Sequence, residues 1–113
     1  KNPYFSTIKI PNGTISSRHL YVILLFPQLW CAKEDIFAAL HERGIGVQVH
    51  YKPTYKFSFY RDRYGETLLP GADEFYNAEL SIPCHQGMSD ADAKFVAENL
   101  LEILAKFDTG CRV

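Results

Sequence analysis

Residues 33–55 read KEDIFAALHERGIGVQVHYKPTY. The first half has helical spacing, with Ile36, Phe37 and Leu40 on one stripe of a helix running from Lys33 to Arg43. Gly44 stands where a helix closes in the left-handed conformation, and Ile45 can fold back on Leu40 as in a Schellman motif. The period then changes to two. Val47, Val49 and Tyr51 alternate with Gln48 and His50, which predicts a strand over 46–51. The valine face goes to the core, and Gln48 and His50 share the opposite face. The segment ends in a cluster of unusual chemistry, His50-Tyr51-Lys52-Pro53-Thr54-Tyr55.

Upstream, His19 to Phe26 is a strand with apolar residues at both parities: Leu20, Val22 and Leu24, and also Tyr21, Ile23 and Leu25. Such a strand calls for cover on both faces. Pro27 ends it. Residues 1–17 carry turn and linker signals at Pro3, Pro11, Asn12-Gly13 and Ser16-Ser17. Within them Tyr4, Phe5, Ile8 and Ile10 suit either a short strand or a contact with a neighbour. Downstream, residues 52–71 are aromatic, basic and punctuated by proline and glycine, so they read as a long irregular connection. Ala72 to Glu79 reads as a short helix, and Leu80-Ser81-Ile82 as a third short strand stopped by Pro83. Ser89 is an N-cap with Asp92 at the third helical position, and Val96, Leu100, Ile103, Leu104 and Phe107 form a helical stripe behind it. Residues 109–113 read as a tail. The sum is an α+β domain, a small three-stranded sheet with helices packed on one face. A neighbouring domain would then cover the other face of the doubly apolar first strand.

Composition sets the outer limits. A chain of 113 residues has the length of one domain. Hydrophobic residues make up 47% of it, which fits a globular chain rather than a disordered one. A net charge of −1 gives no global attraction to nucleic acid or to an anionic membrane. No apolar run approaches the roughly 20 residues of a membrane-spanning helix. Cys31, Cys84 and Cys111 are odd in number and widely spaced, with no CxxC pair, so a reducing, cytoplasmic compartment is expected. The chain opens Lys-Asn-Pro and its only methionine is Met88, so a piece of a longer protein is expected.

Most of the reactive side chains are scattered. His19, His41, His50 and His85 show no convergent metal-ligand spacing. Cys84 and His85 are adjacent on an extended segment and point apart, which suits a buried structural cysteine better than a nucleophile with its base. Gly44-Ile45-Gly46 joins helix to strand, the reverse of the order in a dinucleotide site. The cluster at 50–55 leaves two readings open. It can face an anionic, hydroxylated, ring-bearing ligand, with lysine toward phosphate and histidine and tyrosine toward hydroxyls. It can equally be a strand end whose amphipathic tyrosines cover the sheet edge.

The series SSRHLYVILL (16–25), KEDIFAALHERGIGVQVHYKPTY (33–55) and FYNAELSIPCHQGMSDADAKFVAENLLEIL (75–104) resembles the C-terminal part of the DegT/DnrJ/EryC1/StrS sugar aminotransferases. The resemblance runs from Arg18 to Phe107. Many members carry histidine where this chain has Tyr55. The runs QVHYKPTY, FSFY and SIPCHQGMS are nearest the branch on the route to pseudaminic acid. The resemblance implies the small C-terminal domain of a fold-type I enzyme dependent on pyridoxal 5′-phosphate, residues 18–108, with residues 1–17 as the connector from an N-terminal large domain. It implies transfer of an amino group from glutamate to C4 of a UDP-linked 4-keto-6-deoxy-N-acetyl-hexosamine by a cytoplasmic homodimer. The cofactor would be held by the large domain, and no catalytic or cofactor-binding residue is assigned in this chain. Lys33, Lys52 and Lys94 do not match the family's Schiff-base lysine motif, so the chain alone is expected to be inactive. His50 and Tyr51 match the family's His-Tyr pair near the sugar nucleotide, and Lys52 and Tyr55 are further substrate-binding candidates. The alternative is a free-standing, non-catalytic α+β module that binds a ligand or a protein.

Overall fold

The structure, a computed structural model, describes residues 2–108; the tail expected at 109–113 lies outside them. Its elements run β1 (Phe5–Thr7), β2 (Tyr21–Leu25), α1 (Lys33–Glu42), α2 (Ser58–Tyr64), α3 (Pro70–Ala78), β3 (Glu79–Ile82) and α4 (Asp90–Phe107). Short 3-10 turns occupy Pro27–Ala32 and Thr54–Lys56. The sheet is antiparallel in the order β1-β2-β3, with Thr7 opposite Ile23, and Ile23 opposite Leu80.

One face of this sheet builds the core. Ile23 and Leu25 of β2 and Leu80 of β3 bury themselves against Ile36 and Leu40 of α1 and Leu100 and Leu104 of α4. Each such side chain contributes about 1.5–3 kcal/mol by leaving water, which offsets the entropy of ordering a small domain. The caps that frame this core follow the sequence closely. At the end of α1, the Ile45 N–H donates to the Leu40 carbonyl at 3.0 Å and the Gly44 N–H to the His41 carbonyl at 2.9 Å. This is the Schellman pair, and Gly44 adopts a φ of 74°, which glycine enters without a Cβ clash. At the start of α4, the Asp92 N–H donates to Ser89 Oγ at 3.2 Å, and the Ser89 N–H to Asp92 Oδ2 at 2.8 Å. The Ser89 hydroxyl also donates to Asp92 Oδ2 at 2.7 Å, and that bond first, then the Ser89 N–H, holds the Asp92 carboxyl below its ordinary range.

Two expectations change. The strand predicted over 46–51 contracts to a single bridge, Gln48 opposite Ser81, and the third strand of the sheet is β1 instead. Continuing that antiparallel register by two residues would set the His50 N–H against the main-chain carbonyl of Glu79. The N–H goes to the Glu79 side chain instead, Oε2 at 2.9 Å, so a carboxylate takes the place of the next rung. The alternation still holds: Val47 is fully buried with the core, while Gln48 is exposed on the other face. The second change is in the long connection, which contains α2. None of its residues is buried, and its rings stack on one another, Tyr60 on Tyr64 at 6.4 Å between centroids. A helix without a buried stripe leaves no apolar period in the sequence.

The second face of β2 is only partly covered. Val22 and Leu24 are half-buried, and Leu24 and Phe26 share a hollow with Phe75 and Ala78 of α3. The rest of this face carries Glu79 and Ser81 from β3, beside Gln48 and His50.

Candidate functional site

Glu79 and Ser81 sit two apart on β3 and therefore point to the same side of the sheet. They are the buried polar residues of the described chain, and Glu79 is only 1% exposed. Its carboxylate is satisfied at both ends. Oε1 accepts the Ser81 hydroxyl at 2.7 Å, and Oε2 accepts the His50 N–H at 2.9 Å. Ser81 Oγ in turn lies 2.9 Å from His50 Nδ1. His50 is thus tied to the sheet by both its backbone and its ring.

Tyr51 differs from its neighbour. It is 77% exposed, and its ring meets the His50 imidazole edge-on at 4.8 Å between centroids. The structure therefore brings His50 and Tyr51 together as one anchored and one outward-facing ring. The Lys52 ammonium lies 5.3 Å over the Phe57 ring. Tyr55 is held by α3: its hydroxyl donates to Asp73 Oδ1 at 3.0 Å. Lys56 pairs with the same Asp73 oxygen. The Lys56 and Tyr55 hydrogen bonds hold the Asp73 carboxyl low, while partial burial and Asp73 together push the Tyr55 hydroxyl up. Lys52, Tyr55, Lys56 and Arg61 rim one open hollow of about 510 Å³ together with the carboxylates Glu66 and Asp73. The four sequence candidates are thus split between two places, His50 and Tyr51 at the sheet edge and Lys52 and Tyr55 in this hollow of mixed charge.

Sequence reading missed Glu79, Ser81, Lys56, Arg61 and Asp73. A signal existed for the first two, a polar-apolar-polar alternation, Glu79-Leu80-Ser81, inside a short strand. Cys84 is exposed rather than buried, with its sulfur 3.8 Å from the Arg18 carbonyl oxygen, because it lies past Pro83 where the strand has already ended. His85 is also exposed and accepts the Gly87 N–H at 3.2 Å, and His41 donates to the Val47 carbonyl at 2.9 Å.

The described residues do not make a cradle for pyridoxal 5′-phosphate. The half-buried amine of Lys33 donates to the Tyr76 carbonyl and lies 4.9 Å over the Tyr76 ring. Burial lowers its pKa, and the nearby Glu79 charge opposes that shift. Both oxygens of Glu79 are taken by Ser81 and His50, so this buried carboxylate is not free to face a pyridinium nitrogen. The Arg43 guanidinium is engaged with Glu102 and Asn99.

Comparison with known proteins places this architecture. The sequence profile of the DegT/DnrJ/EryC1/StrS aminotransferase family matches residues 1–101. The chain is 63% identical, over 97% of its length, to a UDP-4-amino-4,6-dideoxy-N-acetyl-beta-L-altrosamine transaminase of Campylobacter jejuni, of which it spans 29%. It is 37% identical over 94% of its length to the Helicobacter pylori transaminase of the same description, of which it spans 28%. Helicobacter pylori PseC, an aminotransferase involved in the biosynthesis of pseudoaminic acid, superposes with a TM-score of 0.88 at 36% identity, covering 93% of this chain and 28% of that one. The putative sugar aminotransferase Spr1654 of Streptococcus pneumoniae superposes at 0.83 with 26% identity, covering 92% of this chain and 27% of that one. With the family profile matching residues 1–101 and two solved aminotransferases superposing on its small α+β unit, the chain belongs to the DegT/DnrJ/EryC1/StrS aminotransferase family.

Proposed function

We propose that this chain is the substrate-side wall of an aminotransferase that uses pyridoxal 5′-phosphate. The reaction moves an amino group from glutamate to C4 of a UDP-linked 4-keto-6-deoxy-N-acetyl-hexosamine. The observation that carries this reading is the high identity to the Campylobacter transaminase along nearly the whole chain. The local geometry supports it, because His50 is anchored at the sheet edge and Tyr51 faces outward beside it. In this reading a large domain joined through residues 1–17 holds the cofactor, which acts there as an electron sink for moving the amino group. His50 and Tyr51 hydrogen-bond the sugar nucleotide. In the Lys52–Tyr55 hollow Lys56 is paired with Asp73, so Lys52 and Arg61 are the cations that suit the diphosphate. We assign the whole enzyme to the cytoplasm, as a homodimer.

The test is steady-state kinetics of the full-length enzyme with each substrate varied in turn. His50→Ala and Tyr51→Phe are each expected to raise KM for the sugar nucleotide about tenfold, the weight of one hydrogen bond, and to leave KM for glutamate unchanged. Unchanged kinetics for both substrates in both variants would remove these residues from the site.

A further inference from the structure

We propose that Glu79 and Ser81 are positioning residues that hold His50 with its proton on Nδ1, so that Nε2 is presented to the ligand as a hydrogen-bond acceptor. The proposal rests on the reading of His50 as a ligand contact and extends it to two residues that touch no ligand themselves. A serine hydroxyl carries one hydrogen. Ser81 donates it to Glu79 Oε1 at 2.7 Å. Toward His50, at 2.9 Å, the same oxygen is left to accept, so Nδ1 must be the donor. The second carboxylate oxygen receives the His50 N–H, which fixes the residue's backbone beside its ring. The two donors thus meet different oxygens of one buried side chain, Oε1 for the Ser81 hydroxyl and Oε2 for the His50 N–H.

The other ring nitrogen has a different setting. Nε2 makes no hydrogen bond to the described residues, and no buried side-chain nitrogen or oxygen among them lacks a partner, so Nε2 is open to solvent. In the neutral ring it then offers a lone pair. The matching ligand group is a donor, a sugar hydroxyl or an amide N–H, and both occur in an N-acetylated sugar nucleotide. Without the Ser81 contact the ring would be free to exchange tautomers, and Nε2–H would face those same donors with a hydrogen of its own.

The experiment is a long-range proton–nitrogen correlation spectrum of the full-length holoenzyme labelled with 15N-histidine, recorded without substrate and joined to kinetics with the UDP-sugar. The wild type is expected to show the His50 proton on Nδ1. Ser81→Ala should lose that preference and raise KM for the UDP-sugar several-fold, with kcat changed less. Glu79→Gln serves as the second variant, for the case in which Ser81→Ala does not fold. Its amide has one accepting and one donating end, so it cannot accept from both Ser81 and the His50 N–H, and the same loss is expected. A wild-type proton on Nε2, or a tautomer that neither variant alters, overturns the proposal. The spectrum needs no substrate, so its outcome is independent of the ligand contact itself. Unchanged kinetics in His50→Ala, with Nδ1–H observed in the wild type, would strike the ligand contact, and with it the presentation of Nε2.

Discussion

The two faces of the small sheet are built on opposite principles. On one, Ile23, Leu25 and Leu80 pack against α1 and α4 through apolar side chains, with aliphatic residues at the buried centre. On the other, alternate residues of the same strands carry Glu79 and Ser81, and the groups they satisfy belong to His50. A close-packed apolar face tolerates exchange among side chains of similar volume, because dispersion and burial are non-directional. A buried polar network does not, because each donor and acceptor has one assigned partner. The stiff face supplies stability and the directed face supplies geometry. Three changes would break or sharpen that contrast.

The largest effect is expected on the apolar face. Leu80→Ala removes a side chain with no exposed surface, and should lower the unfolding free energy by about 2–5 kcal/mol in urea titration. On the polar face Glu79→Ala should cost less, about 1–3 kcal/mol, by stranding the His50 N–H and the Ser81 hydroxyl. If the two costs came out reversed, the division of labour between the faces would be wrong. The smallest effect is expected away from both faces, at the exposed Arg43–Glu102–Lys106 cluster. Hydrogen bonds from Arg43 and then Lys106 hold the Glu102 pKa at about 2, below its ordinary 4.5. The folded state therefore gains from the ionised carboxylate above the ordinary value, and that gain is lost as pH falls from about 4.5 toward 2. Glu102→Gln should flatten stability across that window and leave it otherwise little changed, as thermal melts at stepped pH would show. Solvent screening keeps the contribution small.

The parts of the fold that were legible in the sequence are those decided locally. Gly44 with Ile45, and Ser89 with Asp92, announce their helix ends because a cap uses residues within one turn. The parity of Val47 against His50 was readable for the same reason. The missing rungs of the 46–51 strand were not, since what stops them is the side chain of Glu79, 29 positions away. The helix α2 was hidden because Ser58-Phe59-Tyr60-Arg61-Asp62-Arg63-Tyr64 buries nothing and so has no period. At the site, His50 and Tyr51 were visible as a motif, whereas Glu79 and Ser81 became visible only when β3 was laid beside them. Lys52 and Tyr55 follow immediately in sequence, yet a 3-10 turn at Thr54–Lys56 carries Tyr55 to Asp73 and away from the pair.

The Schellman closure at Gly44 also makes the segment that follows a fixed-length spacer. Ile45 is pinned to Leu40 at one end, Gln48 is bridged to Ser81 in the middle, and His50 is held by Glu79 at the other. Successive residues face opposite sides, so one added or deleted position between Gly44 and His50 would turn the imidazole toward the apolar core and a valine toward the polar face. Between those anchors, selection can change the letters more freely than it can change their number.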